Sequence, residues 1–102
     1  MKIILFLMLV SGVLFASTLD VQKEYENNKK ELHTLYKKAY KVMQDIHYNG
    51  DKFELLHKTW YSYEDKNCHF LEKLLQEDDV YMKCMNKAMQ ERIQKYREWV
   101  DF

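Results

Sequence analysis

The fold is decided by residues 60–92, which read WYSYEDKNCHFLEKLLQEDDVYMKCMNKAMQER. This stretch contains both cysteines of the chain, Cys68 and Cys84. Apolar residues recur at helical spacing on both sides of the acidic sequence 77–79, and this spacing predicts two helices. Neither glycine nor proline, the strongest helix breakers, occurs in the stretch. We therefore predict an antiparallel helical hairpin whose turn lies at the acidic sequence.

The two cysteines fit this hairpin. With the turn near Glu77 and Asp78, Cys68 lies about nine residues before it and Cys84 about six after it, so the two arms differ by about 5 Å at about 1.5 Å per residue. Antiparallel helices then bring the sulfurs together with modest adjustment, and we predict a disulfide. Closing a loop of about 15 residues stabilises a fold by about 3 kcal/mol in the chain-entropy model. The alternative is a pair of free, buried thiols.

A long helix is predicted before the hairpin, because apolar residues recur with a period near 3.6 between positions 21 and 46. We expect Asn49-Gly50 to end it, with Gly50 in the left-handed conformation. Asp51 and Glu54 then form a capping box for the next helix. The predicted fold class is all-α: a three-helix arrangement of one long helix and a disulfide-stapled antiparallel helical hairpin.

Apolar stripes on these helices define the expected core. The acidic sequence 77–79 suits the first turn of the third helix, where negative charge is favourable. Of the eight tyrosines, we expect Tyr40, Tyr48 and Tyr61 at the surface. The positions expected to face the core are Val21, Tyr25, Leu32, Leu35, Tyr36, Ala39, Val42, Met43 and Ile46, then Phe53, Leu56, Trp60, Tyr63, Leu71, Leu74 and Leu75, and finally Tyr81, Met85, Ala88, Met89, Tyr96 and Trp99.

Residues 1–16 have the pattern of a signal peptide. Lys2 precedes an apolar run of about thirteen to fifteen residues, shorter than the roughly 20 that a spanning helix needs, and Ala16 is a small residue at a suitable cleavage point. We expect residues 1–16 to be removed and residues 17–102 to form one domain in the periplasm or outside the cell, without stable membrane insertion. The alternative is an uncleaved membrane anchor.

The charge balance disfavours two classes of partner. The chain has 16 basic and 16 acidic residues, and removal of Lys2 leaves it close to neutral. Nucleic acids and anionic lipids are bound chiefly through a strong positive field. We therefore expect neither as a partner.

Three segments carry a family pattern. They are Leu32-His33-Thr34-Leu35-Tyr36, Trp60-x2-Tyr63-x-Asp65-x2-Cys68 and Cys84-Met85-x6-Arg92-x3-Tyr96. Together they resemble the N-terminal domain of the LprI-type lysozyme inhibitor family, a group of small exported helical proteins. The resemblance covers essentially all of residues 17–102 and implies the same cysteine pairing. The departures are His33 for the usual Asn, Glu64 for a common Arg, Met89 for a frequent Thr, and a short acidic segment between the cysteines in place of a longer Gly-rich loop.

We expect the family-motif residues to be mainly structural. In an antiparallel hairpin Trp60 and Arg92 reach the same level, each about 12 Å from the disulfide. Arg92 then either stacks on Trp60 or pairs with Asp65. The alternative is that Arg92 contacts a partner. The motif residues are Leu32, Tyr36, Trp60, Tyr63, Asp65, Arg92 and Tyr96.

Catalytic and metal-dependent functions find little support. The four histidines are separated by 14, 10 and 12 residues, which matches none of the short paired spacings of zinc sites. We interpret them as ordinary surface or boundary residues, and the methionines as core filling. No Gly-rich phosphate loop is present. We therefore predict no metal, no cofactor and no catalytic residues.

The prediction for function is a protein-binding domain. The resemblance implies a lysozyme as partner, and inhibition would be steric, by a rigid loop or helix end that blocks the glycan cleft. Glu77, Asp78 and Asp79 are the candidate contact residues, because animal-type lysozymes are usually basic; the alternative for them is a solvated helix cap. A structural or assembly module of the cell envelope is the second hypothesis, and a peptidoglycan-acting enzyme is the third.

Overall fold

The chain folds into three α-helices joined by two short connections. The computed structural model describes the backbone of residues 2–46 and 49–101 and the side chains of residues 19–46 and 49–101. The helices are α1 (Lys2–Asp45), α2 (Gly50–Leu75) and α3 (Val80–Asp101). No strand occurs in either described backbone range. The predicted all-α, three-helix fold is confirmed.

A disulfide joins α2 to α3, as predicted. Cys68 and Cys84 are bonded, with their Cα atoms 5.5 Å apart. Eight residues further from the turn on each arm, the Arg92 guanidinium lies over the Trp60 ring. Because equal steps away from the disulfide lead to facing residues, α2 and α3 run antiparallel.

The long helix α1 packs alongside α3 in the same direction. Glu24 Oε1 accepts a hydrogen bond of 2.6 Å from Gln90 Nε2. One heptad further along both helices, Arg97 pairs with Glu31. Since both partners advance together, α1 is parallel to α3 and antiparallel to α2.

The core lies where the three helices meet. Its buried members come from α1, α2 and α3, and Cys68, Met85, Met89 and Tyr96 are its largest fully buried side chains. The disulfide is thus part of the core rather than a surface clip. The buried cluster consists of Leu32, Leu35, Ala39, Phe53, Cys68, Met85, Met89, Ile93 and Tyr96.

Two buried asparagines connect α1 with α3. Asn28 Nδ2 donates to Asn86 Oδ1 at 3.2 Å, and Asn86 Nδ2 donates to the Val21 carbonyl oxygen at 3.2 Å. Their side chains are 7% and 5% exposed. Buried amides cost free energy unless they are paired, so this pair favours one register of α1 on α3. Asn28 lies between Tyr25 and Leu32 on the core-facing side of α1. A prediction based on apolar residues alone does not include it.

The connection between α1 and α2 differs from the prediction. Asn49, not Asp51, is the N-cap of α2, and its side-chain oxygen accepts a hydrogen bond of 3.0 Å from the Asp51 backbone N–H. Gly50 is the first residue of α2 and does not have a positive φ. A Cβ at Gly50 would lie 2.9 Å from the Tyr40 ring. Glycine therefore leaves room here for the Tyr40 ring rather than supplying a left-handed cap.

The predicted core was wrong at five positions. The side of α2 that meets the core is centred on Phe53, His57 and Cys68, and Leu56, Tyr63 and Leu74 lie about 100° away from it and face solvent. Ile46 follows the last residue of α1 and Leu75 is the last residue of α2, so both lie at helix ends. Conversely, Tyr40 and Tyr61, predicted at the surface, are half-buried and pack against the core. The five exposed positions, with their exposed fractions, are Ile46 (65%), Leu56 (51%), Tyr63 (66%), Leu74 (64%) and Leu75 (53%).

Some predictions concern residues outside the described part of the chain. The side chains of the predicted leader, residues 1–16, are among these, and its backbone from Lys2 onward belongs to α1. Tyr48 also lies outside the described residues. Within the described part of the chain, no helix has the length and apolar character needed to cross a membrane.

We predict that Asn86→Ala lowers the free energy of unfolding by about 1–3 kcal/mol, because it leaves the buried Asn28 amide without its partner. Asn67→Ala, at an exposed position within α2, is the matched control. It carries the same gain in helix propensity and should change stability by no more than about 0.5 kcal/mol. Urea unfolding of the oxidised protein measures both variants. Equal effects at the two positions would contradict the proposed role of the pair.

Candidate functional site

Three of the seven family-motif residues, Tyr36, Trp60 and Tyr96, belong to an aromatic cluster. We define this cluster as Tyr36, Phe53, His57, Trp60, Tyr96 and Trp99. All three helices contribute to it. The Tyr36 ring stacks on Phe53 at 5.4 Å between centroids and on His57 at 4.3 Å. Trp60 lies 5.9 Å from His57. The cluster therefore forms one continuous set of ring contacts at the junction of the helices.

Arg92 covers one side of the aromatic cluster. Its guanidinium carbon lies 4.7 Å from the Trp60 ring centroid and 5.9 Å from that of Tyr96. Of the two arrangements predicted for Arg92, the structure contains the stack on Trp60. Asp65 instead accepts a hydrogen bond from the Tyr81 hydroxyl, and burial, followed by this bond, raises the pKa of Tyr81. Arg92 and Asp65 thus make separate contacts between α2 and α3, at different positions along the two helices.

His57 is the member of the aromatic cluster that the sequence reading did not single out. Its Nδ1 and the Tyr96 hydroxyl are hydrogen-bonded at 2.7 Å. Burial, then the charges of Arg92 and His33, lower the pKa of His57 to about 4. Burial likewise raises the pKa of Tyr96 to about 12. Both groups are therefore uncharged at neutral pH. The sequence contained one indication that His57 faces the core: it lies four residues after Phe53, on the same face of α2.

The motif residues differ in exposure. Leu32 and Tyr96 are buried, and four others are half-buried at the rim of the core. Tyr63 alone among them faces solvent, with 66% of its surface exposed. The half-buried four are Tyr36, Trp60, Asp65 and Arg92. Six of the seven motif positions thus lie in or beside the core.

The described residues offer no metal centre. No group of three or more His, Cys, Asp or Glu side chains in that part of the chain is placed to hold a metal ion. Beside the aromatic cluster, Trp60 and Arg92 line a small depression of about 200 Å³. Its other lining residues are Glu64, Ala88, Glu91 and Lys95. The depression opens to solvent between α2 and α3.

The second candidate region is the acidic turn, which we define as Gln76, Glu77, Asp78 and Asp79. It precedes α3 instead of forming its first turn, because Gln76 and Asp79 have left-handed φ angles of 52° and 60°. The Gln76 N–H donates to the Glu72 carbonyl at 2.9 Å, and the Lys83 N–H donates to the Asp79 carbonyl at 3.0 Å. Both ends of the turn are thereby attached to the helices.

The three acids of the acidic turn are not equivalent. The Asp79 carboxylate pairs with Lys83 Nζ at 3.3 Å, and its side chain is only 8% exposed. Glu77 and Asp78 are exposed. The turn therefore presents two carboxylates to solvent and uses the third to hold its own conformation.

These features define a class of protein: a small all-α domain, closed by one disulfide, in which most motif residues lie in or beside the core and an ordered turn presents two carboxylates to solvent. Residues 18–96 match the family described as lysozyme inhibitor LprI, and the chain belongs to this family. The family resemblance inferred from the three motif segments is thereby confirmed. Comparison with curated proteins and with solved structures gives no match.

We predict that Arg92→Ala lowers the melting temperature by several degrees, because it removes a cation–π contact worth about 0.5–2 kcal/mol. Arg92→Lys should restore only part of the loss, since an ammonium group lacks the planar stacking surface. Lys95→Ala, at an exposed position on α3, is the control and should melt close to the wild type. An unchanged melting temperature in Arg92→Ala, together with lost binding, would make Arg92 a contact residue instead.

We also predict that stability falls as the pH drops from about 7 to 5. The pKa of His57 lies near 4 in the folded state and near its ordinary 6.5 in the unfolded chain, so the unfolded state takes up a proton first and is favoured by acid. Urea unfolding at several pH values measures the slope of the free energy of unfolding against pH. His57→Gln, which cannot be protonated in this range, should reduce this slope. A slope that persists unchanged in the variant would show that other groups cause it.

Proposed function

We propose that residues 17–102 form an exported domain that binds a lysozyme and inhibits it without catalysing a reaction. The observation that carries the proposal is membership of the lysozyme inhibitor LprI family over residues 18–96. A bundle built around a disulfide and an aromatic cluster is suited to presenting a fixed surface to a protein partner. Inhibition then requires only that this surface cover the partner's active site.

The proposed mode of inhibition is steric. The end of the α2–α3 hairpin enters or covers the glycan cleft and excludes the substrate. Rigidity supports this role, because a loop that is already ordered loses little entropy on binding. The acidic turn is attached to both helices by backbone hydrogen bonds, and the disulfide closes the hairpin eight residues before the turn at Cys68.

Within the acidic turn, we assign partner contact to Glu77 and Asp78 and a supporting role to Asp79. The first two carboxylates are exposed, whereas that of Asp79 is paired with Lys83. Negative charge at the tip of the hairpin complements a basic lysozyme and increases the rate of encounter more than the final affinity. The near-neutral charge of the whole chain makes this a local effect of the turn.

The proposed location is the periplasm or the medium outside the cell, after removal of residues 1–16. The disulfide supports this location, because structural disulfides persist mainly in oxidising compartments. The location would also place the domain where lysozymes act.

The experiment is a titration of the purified, oxidised domain into lysozymes of several types, followed by lysis of peptidoglycan. We expect stoichiometric inhibition of a basic lysozyme that weakens as salt rises, because salt screens exposed charges. Glu77→Gln/Asp78→Asn should slow association by about tenfold. The control is Glu98→Gln/Asp101→Asn, which removes one Glu and one Asp charge from exposed positions about 30 Å away at the other end of α3; it should associate almost as fast as the wild type.

Two outcomes would contradict the proposal. Full lysozyme activity at a large excess of folded domain would remove inhibition as the function for the lysozymes tested, and a structural module of the cell envelope would then be the better hypothesis. Equal slowing by the two charge variants would instead remove the acidic turn as the contact and leave only an effect of net charge.

A further inference from the structure

Two exposed leucine pairs lie at opposite ends of α2. Leu55 and Leu56, near its start, are 66% and 51% exposed, and Leu74 and Leu75, at its end, are 64% and 53% exposed. The pairs are 19 residues apart, or about 28 Å along the helix. Neither pair belongs to the buried core cluster. Exposed leucines are not unusual singly, but two adjacent pairs leave apolar patches whose surroundings can be compared.

The charges around the two pairs differ. Near Leu55 and Leu56 acids and bases balance, since Asp51 is next to Lys52 and Glu54 forms an ion pair of 2.9 Å with Lys58. Leu74 and Leu75 follow Glu72 and Lys73, and the acidic turn after them adds the exposed carboxylates of Glu77 and Asp78. Apolar surface bordered by net negative charge fits a basic partner, whereas the balanced surroundings of the first pair do not select one.

The second pair, Leu74 and Leu75, also lies directly beside the acidic turn, which is the proposed contact with the partner. Leu74 and Leu75 are the last two residues of α2, and the backbone N–H of the next residue, Gln76, is bonded to the Glu72 carbonyl. Phe70, one helical turn before Leu74, is 63% exposed and extends the apolar surface. Leucines and carboxylates therefore share one rigid end of the hairpin, which we name the hairpin tip: Phe70, Leu74, Leu75, Glu77 and Asp78.

Two exposed carboxylates alone are a weak basis for tight binding. Exposed ion pairs contribute little to affinity because water and salt screen them. Protein interfaces have an apolar, dehydrated centre that carries most of the binding energy and a polar rim that fixes orientation and speeds encounter. The hairpin tip contains apolar and charged side chains that could supply both parts.

We propose that Leu74 and Leu75 are the apolar anchor by which the hairpin tip docks into an apolar-lined cleft of a basic protein. The inference rests on the proposed function, in which the basic protein is a lysozyme. It adds to that function by naming the side chains that supply the affinity. Glu77 and Asp78 then govern the rate of association, and the two leucines govern the rate of dissociation.

The test compares two matched double variants of the full oxidised domain. Leu74→Gln/Leu75→Gln removes the proposed anchor, and Leu55→Gln/Leu56→Gln is the control, with nearly the same exposure on the same helix. Glutamine and leucine have similar helix propensities, so neither variant should melt far from the wild type. Binding kinetics against the lysozyme that the wild type inhibits should show dissociation more than about tenfold faster for the first variant and almost unchanged for the control.

The outcomes separate this inference from the proposed function. If the wild type inhibits and both variants dissociate like it, the anchor is wrong while inhibition stands. If both variants are weakened equally, binding does not depend on the hairpin tip and the inference is again overturned. If the wild type binds none of the lysozymes, the proposed function fails and the inference fails with it. Should the first variant melt lower than the control, Leu74→Gln alone repeats the comparison at the more exposed of the two positions.

Discussion

The covalent bond between Cys68 and Cys84 sets the level at which α2 and α3 face each other, and the other contacts of the hairpin follow from that level. Eight residues away on each arm, Arg92 meets Trp60 at 4.7 Å. On the other side of the bond, the Tyr81 hydroxyl reaches Asp65. A slip of one residue would separate both pairs, because side chains of neighbouring residues point about 100° apart on a helix. A bundle of this size has little apolar area with which to resist such a slip unaided.

The third helix is held by a different kind of constraint. The contacts of α1 with α3 include a buried pair of amides, Asn28 and Asn86, and the second amide also satisfies the Val21 carbonyl. Apolar side chains tolerate several registers, whereas paired amides tolerate few. The bundle thus combines a covalent constraint in the hairpin with a polar constraint on the long helix, and the aromatic cluster fills the space between them.

The sequence was sufficient to predict the architecture, but it was not sufficient to predict which side of α2 is buried. Helical spacing, the absence of prolines and the two cysteines predicted the three helices and the disulfide correctly. Tyr63 and Leu74 were placed in the core because apolar character was taken as the guide, yet His57 takes a position facing the core and these two do not. A histidine can be half-buried there because Tyr96 supplies a hydrogen bond across 39 positions of sequence, and no local pattern contains that information. The acidic turn is a different case. Of its three acids, Asp79 alone has a lysine, Lys83, four residues further on, and this local spacing could have distinguished it from the other two.

The pairing of α1 with α3 has a consequence for the order of folding. The hairpin closes through residues 16 positions apart, whereas the hydrogen bonds from α1 to α3 join residues 58 to 66 positions apart. Contacts between distant residues form late, since closing a long loop costs entropy before any contact compensates for it. A chain that emerges from its N-terminus therefore presents α1 first. Its Tyr36 can stack on Phe53 and His57 once α2 has followed, but its hydrogen bonds to α3 must wait for almost the whole length. The contacts of the helix that is made first are thus the last to be completed, so the three-helix bundle forms only when synthesis of the chain is nearly finished.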